Sequence, residues 1–153
     1  FPFGIAFDGA NIWVANTSSN NVTKLRASDG ANLGSFSVGT LPFGIAFDGA
    51  NIWVANRGGN VTKLRALDGA NLGSFGSGTG PGSSPISIAF DGANVWVANN
   101  SSNNITKLRA SDGANLGTFA VGVTPVGIGF DGTNVWVVNS GSNNVTRLFP
   151  AVP

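Results

Sequence analysis

Residues 4–38 read GIAFDGANIWVANTSSNNVTKLRASDGANLGSFSV, and this stretch decides the fold because the chain repeats it. Further copies begin at Gly44, Ser87 and Gly127, and the last copy stops early, at Phe149. The tryptophans, which lie 40, 43 and 40 residues apart, mark the register of the copies: Trp13, Trp53, Trp96 and Trp136. A period of this length predicts an array of equivalent supersecondary units.

Each full copy contains four short apolar runs, which in the first copy are residues 3–7, 12–16, 22–26 and 33–36. The runs are rich in β-branched and aromatic residues and are separated by Gly, Asn, Asp and Ser, which is typical of β-strands. No stretch keeps apolar residues at helical spacing over ten residues. The sequence therefore predicts an all-β chain with practically no helix.

The turns between these runs carry all the acidic residues of the chain. The motif Asp-Gly-x-Asn occurs seven times, beginning at Asp8, Asp29, Asp48, Asp68, Asp91, Asp112 and Asp131. Asp-Gly between two apolar runs predicts a hairpin, because Gly supplies the positive φ that a tight primed turn needs. We therefore assign these aspartates to structural turns, and we expect the first two and the last two strands of each copy to pair.

Four antiparallel strands in about 40 residues form the blade of a β-propeller. We predict one domain over residues 1–153, with four blades near residues 3–40, 43–82, 85–123 and 126–149. The last blade is expected to be incomplete, since its fourth run is missing, and one connecting loop, 76–85, is longer than the others. In such a meander the Asp-Gly turns share one edge of the blades. The loops between second and third strands (the Asn/Ser loops, residues 17–21, 57–60, 100–104 and 140–144) share the other edge with the Gly/Pro loops that end at Pro42, Pro85 and Pro125.

Several segments, among them IWVANTSSNNVTKL and VWVVNSGSNNVTRL, resemble the YVTN-type β-propeller repeat. The flanking segment PFGIAFDGANIWVAN is similar to repeats of the same family and of virginiamycin B lyase-like propellers. The resemblance implies a propeller of about seven blades, common in secreted, periplasmic or surface-layer proteins. It also implies, for the lyase-like members, a His base with a carboxylate and magnesium, but this chain has no His and no Glu to match them.

The amino-acid composition excludes several kinds of function and partner. Charged residues make up 10% of the chain and the net charge is +1, so no nucleic-acid partner is expected. No apolar run approaches the 18 residues of a membrane span. The sequence lacks Cys, His and Glu, so we expect no catalytic group, no metal site and no cofactor. The Asn/Ser/Thr-rich, weakly charged surface favours an extracellular or periplasmic location.

Polar residues that recur at the Asn/Ser loops are the candidate ligand-binding residues. They are Asn16, Asn20, Asn21, Asn56, Arg57, Asn60, Asn99, Asn103, Asn104, Asn139, Asn143 and Asn144. The alternative is that the Asn residues closing the second strands only bond to the following loop. The basic residues of each third strand are expected to cover apolar surface while their charged ends reach Asp or water. The four tryptophans are expected in the core between blades, with sugar stacking as the alternative.

Four blades leave two apolar blade faces without a neighbour. Three arrangements are open: a second copy completes an eight-bladed ring, the blades continue in a longer chain, or four blades close alone. A contact that fails to close would give a polymer. We therefore expect the chain itself as a partner, and a glycan or a protein as a ligand.

Three functions follow from these expectations. The first is a non-catalytic scaffold or binding module that uses its Asn/Ser-loop face. The second is a structural repeat of a surface layer or extracellular fibre. The third, a propeller lyase or hydrolase, has the least support because the sequence offers no acid–base pair.

Overall fold

A computed structural model describes residues 1–77 and 83–149. Within them the chain forms fifteen β-strands and one 3-10 turn, Thr17–Ser19. The first sheet contains β1 (Pro2–Phe7), β2 (Asn11–Asn16), β3 (Asn21–Arg26) and β4 (Asn32–Ser37). The second contains β5 (Pro42–Phe47), β6 (Asn51–Asn56), β7 (Asn60–Arg65) and β8 (Asn71–Gly76). The third contains β9 (Pro85–Phe90), β10 (Asn94–Asn99), β11 (Asn104–Arg109) and β12 (Asn115–Ala120), and the last contains β13 (Pro125–Phe130), β14 (Val135–Asn139) and β15 (Asn144–Leu148).

Each sheet is an antiparallel meander in which strands adjacent in sequence are paired. Among the described residues, three sheets have four strands and the last has three, which confirms the all-β class, the hairpins and, within that part of the chain, the incomplete last blade. The middle of the long loop, 78–82, and residues 150–153 lie outside the described residues. The predicted blade end near residue 82 falls there as well.

The sheets are arranged side by side around their first strands, as propeller blades are. The strand contacts between sheets run from β1 to β5, from β5 to β9 and from β9 to β13. The inner strands approach closely, because a Cβ on Gly4 would overlap the carbonyl oxygen of Phe43. A Cβ on Gly44 would likewise come within 2.7 Å of the carbonyl oxygen of Ile86. Glycine at this position therefore permits the inner strands to pack backbone against backbone.

The core consists of three layers, one in each gap between neighbouring sheets. In the first layer Trp13, with its neighbours Ala15 and Val22, packs against Ile52 and Leu64 of the second sheet. The other two layers are built in the same way around Trp53 and Trp96. Each of the two middle sheets thus buries one face against the sheet before it and the other against the sheet after it.

The first and last sheets each have one face without a neighbouring sheet. Residues on these faces are more exposed than the equivalent residues of the inner sheets. Ile5 of the first sheet is 67% exposed, whereas its equivalent in the second sheet, Ile45, is 9% exposed. Trp136 of the last sheet is 39% exposed, whereas Trp13 and Trp53 are fully buried. Across residues 1–77 and 83–149 the array is therefore open, and closure of four blades on themselves is not seen.

Candidate functional site

The first Asp-Gly turn of each blade ties the carboxylate to the tryptophan of the same blade. Asp8 Oδ2 accepts a hydrogen bond of 2.7 Å from the Trp13 indole nitrogen, Nε1. Asp8 Oδ1 accepts from the backbone N–H groups of Ala10 and Asn11, and the Asn11 side-chain amide donates to both oxygens. Gly9 takes the positive φ of 98°. The same indole bond recurs in the pairs Asp48–Trp53, Asp91–Trp96 and Asp131–Trp136.

The second Asp-Gly turn of the three complete blades has a different partner. Asp29 Oδ2 accepts from Arg26 Nη1 at 2.8 Å, and Asp29 Oδ1 caps the backbone N–H of Ala31. Both side chains are about half exposed, at 51% for Arg26 and 49% for Asp29. The same ion pair forms between Arg65 and Asp68 and between Arg109 and Asp112.

Hydrogen bonding keeps most of these carboxylates ionised. Burial raises the pKa of Asp48, but the hydrogen bonds from the Trp53 indole and the Ala50 backbone, with those from Asn51, lower it by more. The pKa of Asp48 therefore lies below its ordinary value. The pKa values of Asp8 and Asp91 are lowered in the same way. A carboxylate with a lowered pKa is a poor general acid or base at neutral pH.

The third-strand lysines of the first two sheets, Lys24 and Lys63, make inter-sheet contacts. Lys24 Nζ donates to the carbonyl oxygens of Ala66 at 2.7 Å and Leu67 at 3.0 Å, both in the second sheet. The same ammonium group lies 5.1 Å from the centre of the Trp13 ring. Lys63 makes the equivalent bonds to the carbonyl oxygens of Ala110 and Ser111. The expectation that the charged ends reach Asp or water holds for Arg26, Arg65 and Arg109, which pair with Asp. These two lysines instead reach backbone carbonyls of the next sheet.

The asparagine that ends each second strand is tied inside its own blade. The Asn16 side-chain amide donates to Asn21 Oδ1 at 2.8 Å and to Thr23 Oγ1 at 2.9 Å. The same two bonds run from Asn56 to Asn60 and Thr62, from Asn99 to Asn104 and Thr106, and from Asn139 to Asn144 and Thr146. Asn56, Asn99 and Asn139 are buried, so these three side chains are not accessible to a large ligand.

The asparagine in the middle of the loop connects neighbouring blades. Asn20 adopts a left-handed conformation, with φ of 53°, and its Oδ1 accepts from the Leu41 backbone N–H at 2.9 Å. Asn103 makes the equivalent bond to Thr124. Asn143 has the same φ, 52°, and it is exposed on the last sheet.

Arg57 departs from the repeat and lies exposed on the Asn/Ser-loop face. Its guanidinium lies 5.0 Å from the centre of the Phe43 ring, and its Nε donates to Ser84 Oγ at 3.3 Å. The Phe43 ring in turn lies 4.1 Å from that of Phe3, which is 60% exposed. The exposed cation over Phe43, together with the tilted ring of Phe3 beside it, forms a small amphipathic patch on this face.

A cavity of about 420 Å³ lies at the opposite edge, between the first two sheets. Its ionisable lining residues are Asp8, Lys24 and Arg65. Each already has a partner, namely Trp13, two backbone carbonyls and Asp68. The cavity therefore coincides with the inter-sheet contact and not with the predicted ligand-binding face.

Two wider features of the described residues bear on function. Among residues 1–77 and 83–149, no three of His, Cys, Asp and Glu lie close enough together to hold a metal ion. No helix in the same part of the chain is long and apolar enough to cross a membrane.

Two connections within each blade were not predicted from the sequence. The first links the Asp of the first turn to the Trp, and its signal is the constant spacing of five residues, as from Asp8 to Trp13. The second adds the Thr of the third strand to the asparagine cluster, and its signal is the spacing from Asn16 to Thr23.

No protein-family model and no curated protein sequence matches the chain. The YVTN-type assignment is therefore not confirmed, while solved structures support the β-propeller fold. One is hydrazine synthase of Kuenenia stuttgartiensis, with 22% identity over 98% of this chain and 46% of that one, at a TM-score of 0.87. Another is virginiamycin B lyase of Staphylococcus aureus, with 19% identity over 99% of this chain and 56% of that one, at a TM-score of 0.75.

The computationally designed protein Ika4 is similar as well, with 12% identity over 97% of this chain and 91% of that one, at a TM-score of 0.83. The chain spans about half the length of the two natural proteins. At these identities the likeness concerns the fold alone.

Proposed function

We propose that the chain is a non-catalytic β-propeller module that binds a glycan through its Asn/Ser-loop face. The observation that supports it is the patch of Arg57, Phe43 and Phe3, where an exposed cation lies over the Phe43 ring and the Phe3 ring lies beside it. Sugar rings stack on aromatic faces, and a guanidinium can hydrogen-bond sugar hydroxyls or pair with a carboxylate.

The loops around this patch supply uncharged hydrogen-bonding groups. Ser18, Ser101 and Asn143 are exposed on the same face. Meanwhile the aspartates are held by turn partners, and most of the strand-ending asparagines are buried. The exposed loop residues can therefore be substituted without disturbing the strands and turns of the blades. Binding surfaces are commonly built in this way, from loops on a rigid scaffold.

A glycan array with the wild-type chain, an Arg57→Ala variant and an Arg65→Ala variant tests this proposal. Arg65 is the matched control, since it is an exposed arginine at the opposite edge, paired with Asp68. We expect Arg57→Ala to weaken binding at least about tenfold, the loss of one charged hydrogen bond, and Arg65→Ala to leave it unchanged. Absence of any glycan binding, or equal losses in both variants, contradicts the proposal.

A structural repeat of a surface layer or fibre is the second candidate function. The apolar faces left open on the first and last sheets favour it, because they allow the array to be extended. In that case a protein and not a glycan would be the ligand, and electron microscopy of concentrated protein would show filaments or sheets.

A further inference from the structure

The two open faces carry the same kinds of residue as the faces that are paired inside the molecule. On the first sheet, Ile5 and Phe7 are 67% and 56% exposed. Phe7 pairs with Ile12 of the next strand, and Ile12 pairs in turn with Leu25. On the last sheet, Val145 is 56% exposed, and Trp136 and Val138 are exposed next to it on the paired strand. We call these the leading face (Ile5, Phe7, Ile12, Val14, Leu25) and the trailing face (Trp136, Val138, Val145, Arg147, Phe149).

The internal interfaces provide a template for joining the two faces. Between the first and second sheets, Trp13, Ala15 and Val22 pack against Ile45, Ile52, Val54 and Leu64. By repeat register the first set corresponds to Trp136, Val138 and Val145 of the trailing face. The second set corresponds to Ile5, Ile12, Val14 and Leu25 of the leading face.

The hydrogen-bonding groups of the internal interfaces also have equivalents at the two ends, a donor on the trailing face and acceptors beside the leading face. Inside the molecule, Lys24 of one sheet donates to the carbonyl oxygens of Ala66 and Leu67 of the next. Arg147 occupies the lysine position on the trailing face, where it is exposed and lies 5.8 Å from the Trp136 ring centre. The corresponding carbonyls in the first sheet belong to Ala27 and Ser28, and both residues are exposed. A guanidinium has the donors to reach both oxygens at once.

We propose that the leading face binds the trailing face of a second copy of this chain. Two copies then make two identical head-to-tail contacts, which complete a ring of eight sheets. In each contact Trp136 packs on the leading face and Arg147 donates to the carbonyls of Ala27 and Ser28. The occupant is a second copy because the contact continues an interface already present three times within the chain.

The energetics favour such a contact over an open monomer. Soluble monomers rarely leave contiguous apolar patches larger than a few hundred Å² in water. Here each end of the array exposes several large side chains, with Phe7 at one end and Trp136 at the other. A ring covers both faces, whereas a contact that does not close leaves them available for further growth. The inference goes beyond glycan binding and does not depend on it.

The first measurement is the mass of the 153-residue chain in solution at micromolar concentrations, by sedimentation equilibrium. We expect twice the 15.4 kDa of one chain, without larger species as the concentration rises. A persistent monomer contradicts the proposal. A mass that keeps growing contradicts ring closure, and it would support the fibre described above.

A complementation experiment tests which faces meet. Ile5→Asp blocks the leading face and Val145→Asp blocks the trailing face, and both residues are exposed in the single chain, so each variant should fold. The fluorescence of the buried tryptophans checks that it does. We expect each variant alone to be monomeric and an equimolar mixture to form pairs, since one contact of the mixed pair is intact.

The control is Leu67→Asp, because Leu67 is 82% exposed and lies outside both faces. Its equivalents in the first and third copies are serines, so the position tolerates a polar side chain. This variant should keep the wild-type mass. If either blocked variant still forms pairs alone, or the mixture stays monomeric, the leading and trailing faces are not each other's partner.

Discussion

The two Asp-Gly-x-Asn turns of a blade have the same sequence but different surroundings. In the first turn of the second blade, Asp48 binds the Trp53 indole, and a Cβ on Gly49 would meet nothing within 4 Å. In the second turn, Asp68 pairs with an exposed arginine, but a Cβ on Gly69 would overlap the ring of Phe36 from the blade before. The first turn is therefore stabilised by its aspartate, whereas the second needs its glycine because a side chain there would overlap Phe36.

This difference shows how a repeated tetrapeptide serves two purposes. The first turn holds the strands of one blade, since its carboxylate reaches the tryptophan five residues later. The second turn receives the neighbouring blade, since its residues contact Phe36 and the preceding carbonyls accept from Lys24. What distinguishes the two turns is the residue that each contacts, the tryptophan of its own blade or Phe36 of the blade before, and not the turn sequence itself.

The largest effect is expected from Asp48→Ala, with Asp68→Ala as the matched change in the second turn. Loss of the Asp48 carboxylate leaves the buried Trp53 indole without its acceptor, which should cost about 3 kcal/mol of unfolding free energy. Asp68→Ala removes an exposed ion pair and should cost about 0.5 kcal/mol or less. Urea unfolding of both variants measures the two values, and equal losses would remove the distinction between the turns.

A smaller loss of stability is expected from changing a glycine of the second turn, where the neighbouring blade makes close contact. Gly69→Ala forces a Cβ into Phe36, whereas Gly30, which has nearly the same φ, has no atom within 4 Å of that position. Because both variants carry the strain of a positive φ, their difference isolates the overlap, and we expect Gly69→Ala to be less stable by about 2 kcal/mol. Thermal unfolding of the two variants provides the comparison, and a Gly30→Ala variant as unstable as Gly69→Ala would contradict it.

The smallest effect concerns pH. The pKa of Asp48 is lowered in the folded chain, so its stabilising contribution is complete above the unfolded pKa, about 4, and is lost as the pH falls from there through the lower folded pKa. We expect the unfolding free energy to be flat between about pH 7 and 5 and to fall below about pH 4. The slope should be shallower in Asp48→Ala, by at most about 1.4 kcal/mol per pH unit. Identical slopes in the two proteins would show that Asp48 does not carry the dependence.

Much of the fold could be predicted from the sequence because the relevant signals are local. Short apolar runs rich in β-branched and aromatic residues identify the strands, and Asp-Gly between them identifies the hairpins, as for Phe7 and Ile12 on either side of the turn at Asp8. The missing fourth run after Arg147 likewise predicted the three-stranded last sheet. Each of these inferences needs only a few neighbouring residues.

The contacts of the candidate site were harder to predict, since they join residues that no local pattern connects. Lys24 and Ala66 are 42 positions apart, and no sequence pattern in either segment indicates that they form a hydrogen bond. Arg57 stood out as a departure from the repeat, but its position over Phe43 depends on how two strands meet at the inner edge. The burial of Asn56 also depends on the neighbouring sheet, which the sequence of one copy does not specify.

The near-identity of the three tryptophan layers has a consequence for the history of the chain. Trp13, Trp53 and Trp96 each meet the following sheet through equivalent side chains, so one sheet can take the place of another. Unequal recombination between the repeats of the gene would add or remove a whole unit and leave every remaining junction intact. Such a protein can change its size in steps of one unit, with no new packing solution required at any step.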